Sequence, residues 1–316
     1  MIFGFEKRFV FPATLGFPLI LLLLLLLLFS FSLSGCVSAT SREELAREYY
    51  NLGNAYFEIG EFKKAIGYYE KAYNYDSSLK STSYNLALSY IKTNDLEAAI
   101  GTLKNLLEGD PENLKVLEAL AYAYHLDGND ESAVTILDRI LEISPENTDA
   151  LNNKGIILWD SKDYAGAEEN FRKILKYDPE DTDTKFNLGK LLIEAGQIEE
   201  GLSFLEDYAQ ARPDDWEVFM LLGHTYEKLE MYEKSLEAFN LATSIKKDTA
   251  EAWFESAKIL LTKVEDPDKG LVHLKEALNL GFKDLDKLRG LLKSEDLMEK
   301  DKVKELLEEK GIRIKE

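Results

Sequence analysis

The chain has 316 residues, 38 of them basic and 58 acidic, for a formal charge of −20. Phosphate backbones repel so acidic a surface, so nucleic acid is not an expected partner. Three His and one Cys leave little material for a metal centre or a thiol enzyme and none for an internal disulfide, so no cofactor or metal is expected.

At the amino end, Lys7 and Arg8 precede an uncharged stretch from Phe9 to Ser41, within which Leu19 to Phe29 is unbroken apolar sequence. Basic, then apolar, then small residues is the order of a secretory signal. The small-residue site reads Leu33-Ser34-Gly35-Cys36 and holds the chain's one Cys. It resembles the lipobox of bacterial lipoproteins. That resemblance implies removal of residues 1–35, diacylglycerol on the Cys36 thiol and acylation of the new amine. The other reading is an uncleaved anchor, and in both cases the rest of the chain lies outside the cytoplasm. Val37 follows the Cys; in enteric-like bacteria Asp there favours inner-membrane retention, so the resemblance points to the outer membrane, facing the periplasm. Residues 36–45 form a short lipidated tether.

From Tyr49 the sequence repeats. Tyr49, Leu52, Gly53 and Tyr56 share one helical face, Gly60 interrupts, and Phe62, Ala65, Tyr69 and Ala72 form a second face. Steps of 34 residues carry Gly53 to Ala87, Ala121, Gly155, Gly189, Gly223 and Ala257, and carry Ala65 to Ala99, Ala133, Ala167, Gly201 and Ser235. Side chains this small suit positions where two helices cross closely. Pro111, Pro145, Pro179 and Pro213 recur at the unit ends. Six units run without a gap over 46–79, 80–113, 114–147, 148–181, 182–215 and 216–249. A seventh starts at Ala250 with one extra residue in its turn.

This pattern resembles the tetratricopeptide repeat. The resemblance implies an all-α fold, a right-handed superhelical solenoid of about seven helix–turn–helix repeats over 46–283. Leu285 to Leu292 and Val303 to Leu307 suit capping helices over 284–316, since an array needs a polar terminal element. Lys154 departs from the pattern in a slot that holds Leu in most units. Either its stem packs while its amine reaches solvent, or the fourth hairpin is rotated. Lys247 replaces the terminal Pro of the sixth unit.

In the family the first helix of each repeat lines the concave side. The fifth, ninth and twelfth positions of a repeat share a face. They supply the candidate groove residues Asn54, Tyr84, Tyr122, His125, Asn152, Trp159, Phe186, Lys190 and His224, although the same positions can also serve as packing between repeats. Aromatic side chains with interspersed polar groups suit a peptide or a partner helix. Some family members hold a carboxylate terminus with Lys and Asn. Asn54 matches one such position, but Tyr50 stands where Lys is required, so that clamp is not expected.

The acidic turns, such as Asp178 to Asp183, lack the spacing of a calcium loop and read as helix caps. There is no nucleophile elbow, phosphate-binding Gly loop or metal-spaced His pair, so catalysis is not expected. The expected function is a membrane-anchored scaffold of the bacterial envelope that binds protein partners. The alternative is a small-molecule binding component of an envelope transport system.

Overall fold

The computed structural model describes residues 41–314, and these contain sixteen α-helices and no strand. The segment expected to be a secretory signal, and Cys36, lie outside the described residues. The helices form two compact units, one ending at Tyr177 and the other beginning at Asp178.

The first unit holds α1 (Arg42–Glu58), α2 (Phe62–Tyr75), α3 (Lys80–Lys92), α4 (Leu96–Gly109), α5 (Leu114–Leu126), α6 (Asp130–Ile143), α7 (Thr148–Asp160) and α8 (Tyr164–Tyr177). They pair as four hairpins, and the second helix of each of the first three also packs on the first helix of the next. Helix α1 starts four residues ahead of the 34-residue phase because Ser41 caps it, its Oγ accepting from Glu44 N at 3.1 Å.

The second unit continues the pattern with α9 (Thr182–Glu194), α10 (Ile198–Ala211), α11 (Trp216–Lys228), α12 (Tyr232–Ile245), α13 (Ala250–Thr262) and α14 (Pro267–Asn279). Its last helices are α15 (Leu285–Lys293) and α16 (Lys300–Glu309). Leu288, Leu291, Val303 and Leu307 of this pair join Phe254, Leu261 and Leu274 in one core. Met298 N donates to Leu261 O at 3.0 Å, which ties the loop between α15 and α16 to the end of α13.

The small-residue slots are buried in every hairpin, and they match the side chain that crosses them. A Cβ added at Gly53, Gly155 or Gly223 would stand within 2.8 Å of the rings of Tyr69, Phe171 and Phe239 respectively. Where the slot is Ala87, Ala121 or Ala257, the corresponding residue of the second helix is the smaller Leu103, Leu137 or Leu274, each buried. The turn inside each hairpin contains one left-handed residue, in order Gly60, Asn94, Gly128, Lys162, Gly196, Glu230 and Glu265. The extra residue of the seventh unit moves the last of these by one.

The acidic turns act as caps. Asp181 accepts from Thr184 N at 2.6 Å, and Asp215 from Glu217 N at 3.1 Å. Lys154 keeps its place in the fourth hairpin by packing its stem while its ammonium pairs with Asp138 of α6.

Candidate functional site

In the first unit, helices α1, α3, α5 and α7 bring the candidate residues to one series of adjoining first helices. Asn54 joins a network across two hairpins. Its Oδ1 accepts from the Tyr69 hydroxyl at 2.7 Å and from Asn85 Nδ2 at 2.9 Å, while Asn85 also donates to Tyr50 Oη at 3.3 Å. Burial, with Tyr50 nearby, pushes the Tyr69 phenol well above its usual range, so it stays a donor. Asn54 is therefore committed to structure, and Tyr50 occupies the place a carboxylate clamp would give to Lys.

Tyr84 and Tyr122 are half-buried, as are Tyr50 and Phe57 beside them. Burial, reinforced by Glu118, raises the Tyr84 phenol. Asn147 Nδ2 lies 3.3 Å from Glu118 Oε1, and burial raises that carboxyl. His125 Nδ1 is 2.7 Å from Asp130 Oδ1. Asn152 and Trp159 are buried, and Trp159 meets Phe171 edge to face with ring centres 6.4 Å apart. These two side chains pack the fourth hairpin; Tyr84, Tyr122 and His125 present surface.

In the second unit, Phe186 lies 4.7 Å from the Tyr208 ring, with Lys190 Nζ 5.2 Å from the Phe186 ring centre. His224 belongs to a different group. It packs edge to face on Phe239 at 5.1 Å and sits beside a charge network drawn from α11, α13 and α15. Glu255, only 2% exposed, is the hub. Lys258 Nζ lies 2.5 Å from Glu255 Oε2 and 2.9 Å from Glu227, and Lys287 Nζ lies 2.7 Å from Glu255 Oε1 and also pairs with Glu251.

Burial alone would raise the Glu255 carboxyl, but Lys258, His224 and Lys287 together hold it below the usual range. Burial would likewise lower both lysines, and the surrounding carboxylates hold them up. Burial lowers His224 and keeps its ring neutral near pH 7. His224, Glu227 and Glu255 place ligand atoms within 4.8 Å of one another, as a metal would require. The Lys258 ammonium already serves these carboxylates, so the donor set is built around an internal cation.

Sequence reasoning found His224 but not the hub. Glu255 falls in a slot that holds Asn85, Asn153 and Asn187 in other repeats. A carboxylate there with Lys three positions on was the available signal.

Profiles of the tetratricopeptide repeat match residues 46–77, 90–153, 158–225 and 217–249. The chain belongs to the tetratricopeptide repeat family. Among solved structures, a tetratricopeptide repeat protein from Parabacteroides merdae is 18% identical with a TM-score of 0.58, over 85% of this chain and 99% of its own. YrrB, a tetratricopeptide repeat protein with an unusual peptide-binding site, is 20% identical with a TM-score of 0.52, over 60% of this chain and 96% of its own. At such identities the likeness is one of repeat fold. No curated protein sequence matches the chain.

Proposed function

We propose that the chain is a non-catalytic scaffold tethered by an acylated Cys36 to the bacterial envelope, most plainly the periplasmic face of the outer membrane. Its first unit binds an extended or helical segment of a protein partner. The observation that carries this reading is the run of half-buried aromatic side chains Tyr50, Phe57, Tyr84 and Tyr122, with His125, on adjoining first helices. These positions carry almost no charge in a chain of −20. Rigid aromatic side chains with a polar tip are favoured anchors in protein interfaces. The peptide-binding site of YrrB supports the same use of the repeat. Among the described residues no helix is long and apolar enough to cross a membrane, so attachment rests on the amino-terminal segment.

A small-molecule reading is less favoured. Two shallow depressions of about 370 and 290 Å³ lie on α12 and between α14 and α16, and no aromatic residue lines either. An enclosed ligand usually needs an apolar pocket with convergent polar groups.

The test is cross-linking in intact cells followed by capture and mass spectrometry of the full chain. A Tyr84→Ala/Tyr122→Ala variant that folds normally should lose the partner that the unaltered chain captures. Equal capture by both would remove the basis for the first-unit surface. A bound small molecule in native mass spectrometry, with no protein captured, would favour the second reading.

A further inference from the structure

The first hairpin has an end face that no earlier repeat covers. Leu52 shows why this matters. Its slot is buried at Leu86, Leu120 and Leu222, none more than 8% exposed, yet Leu52 itself is 43% exposed. In the later repeats, the second helix of the preceding hairpin covers first-helix residues within each unit; among the described residues α1 has no such preceding helix.

The chemistry of the face is unusual for this chain. Leu45, Tyr49, Leu52 and Tyr56 form one continuous stripe along α1, extended by Ile59 at its C-cap, at spacings of four and three. Lys64, Tyr68, Lys71 and Tyr75 form the matching stripe on α2. Four of these rings make a ladder. Tyr75 stacks on Tyr49 at 5.5 Å, Tyr49 on Tyr68 at 6.3 Å, and Tyr68 on Tyr56 at 5.1 Å. Lys71 Nζ lies 5.6 and 5.2 Å from the Tyr49 and Tyr68 ring centres, and Lys64 Nζ lies 5.5 Å from that of Tyr56. Neither stripe contains a carboxylate, although acidic residues greatly outnumber basic ones overall; Glu48 borders the α1 stripe, and Glu61 pairs with Lys64 at 3.5 Å, which leaves Lys71 as the lysine at the centre of the ladder.

We propose that this end face rests on the surface of an anionic phospholipid bilayer. The proposal builds on the reading that Cys36 is acylated. Residues 37–41 separate Cys36 from α1, and five residues span at most about 18 Å. Acylation would thus hold the first hairpin against the membrane, and the stripe begins at the tethered end of α1. Tyrosine rings and lysines with apolar stems are the side chains that settle at the interface between acyl chains and headgroups. The lysine charge matches anionic headgroups, and the surrounding acidity of the chain keeps other faces away. A second copy of the chain is a poorer fit. A two-fold pairing through this face would bring two lysine-bearing stripes together with no carboxylate in either stripe.

The experiment uses the full chain purified from membranes and mixed with vesicles of phosphatidylethanolamine and phosphatidylglycerol that carry a diazirine phospholipid. After photolysis, lipid adducts should concentrate on peptides containing Tyr49, Leu52, Tyr56 and Tyr68. They should fall several-fold in Leu52→Glu, which leaves helix content unchanged because the site is already exposed, and also when phosphatidylglycerol is replaced by phosphatidylcholine. A chain that floats with the vesicles but carries adducts elsewhere, or spread evenly, overturns the docking and leaves the anchor intact. Cross-links between two copies through this face would overturn it in favour of a dimer. A chain that does not float overturns both the docking and the acylated anchor.

Discussion

Gly155 of α7 lies flat against the ring of Phe171 in α8, so close that a Cβ would stand 2.8 Å from the ring edge. The same hairpin position with Ala87 faces Leu103; glycine accompanies a ring at Gly53, Gly155 and Gly223, whereas Gly189 meets Leu205 and the backbone of Gly201. Gly155→Ala gains helix propensity of about 1 kcal/mol but overpacks the crossing, for a net loss of about 1–2 kcal/mol. Phe171→Leu leaves unfilled space. The double variant Gly155→Ala/Phe171→Leu rebuilds the Ala–Leu crossing and should recover about 1 kcal/mol relative to the sum of the single changes. Urea unfolding of the four proteins measures this. Additive losses would show that the two residues are not coupled.

The left-handed turn residue allows a stabilising change. Lys162 adopts φ 66° where Gly60, Gly128 and Gly196 stand in other hairpins. A side chain in that conformation costs roughly 1 kcal/mol, part of which is offset because Gly is freer in the unfolded chain. Lys162→Gly should therefore raise stability by about 0.5 kcal/mol. Gly101 sets the opposite case. It lies inside α4 with open space where a methyl group would stand, so Gly101→Ala should stabilise by about 0.5–1 kcal/mol. Thermal midpoints that move the other way would show that the backbone conformations at these sites differ from those described.

Much of this was legible because the determinants are local and periodic. The 34-residue spacing of Gly53, Ala65 and their successors reports where two helices touch, and Gly60 reports the turn. Asp181 and Asp215 cap the helices that follow them, as the acidic turns suggested. The candidate surface was only partly legible. Trp159 and Tyr122 both fall on the inward face of a first helix, yet Phe171 covers the Trp159 ring, whereas Tyr122 keeps an open side. Glu255 was missed because its burial is set by α15, a helix outside the repeat phase that brings Lys287 over it. The exposed stripe at Leu52 likewise depends on which neighbour is missing, and the pattern of a single repeat does not carry that information.

The charge network sets an expected response to substitution and to pH. Lys258→Met leaves the buried Glu255 with Lys287 alone and should cost about 3 kcal/mol, the usual scale for breaking a buried pair from one side. Lys258→Arg should keep most of that stability. Burial lowers His224, and it also lowers His273, whose Nδ1 lies 2.8 Å from Ser256 Oγ. The folded chain therefore binds fewer protons at these rings than the unfolded chain, and stability must fall as pH drops through and below the ordinary His range near about 6.5. Glu118 and Glu251 are raised by burial and act in the opposite sense at lower pH. The histidine effect is thus read between about pH 7 and 5.5. The thermal midpoint should decline over that interval, and less so in a His224→Gln/His273→Gln variant. An equal decline in both proteins would place the sensitivity elsewhere.

In the proposed function, membrane attachment rests on a single atom, the sulfur of Cys36, the only Cys in the chain. In a lipobox the Cys thiol accepts diacylglycerol, and cleavage follows on the modified precursor. Cys36→Ser should therefore abolish metabolic labelling by a palmitate analogue and leave a precursor that retains residues 1–35. One acyl chain gives marginal bilayer binding, and two or three give stable binding. The unaltered chain should accordingly stay with membranes after a high-salt wash that strips proteins held by charge alone. Continued labelling of the Ser variant would refute the assignment of the lipid to Cys36. A labelled, unaltered chain that washes off in salt would show that the acyl chains do not reach the bilayer.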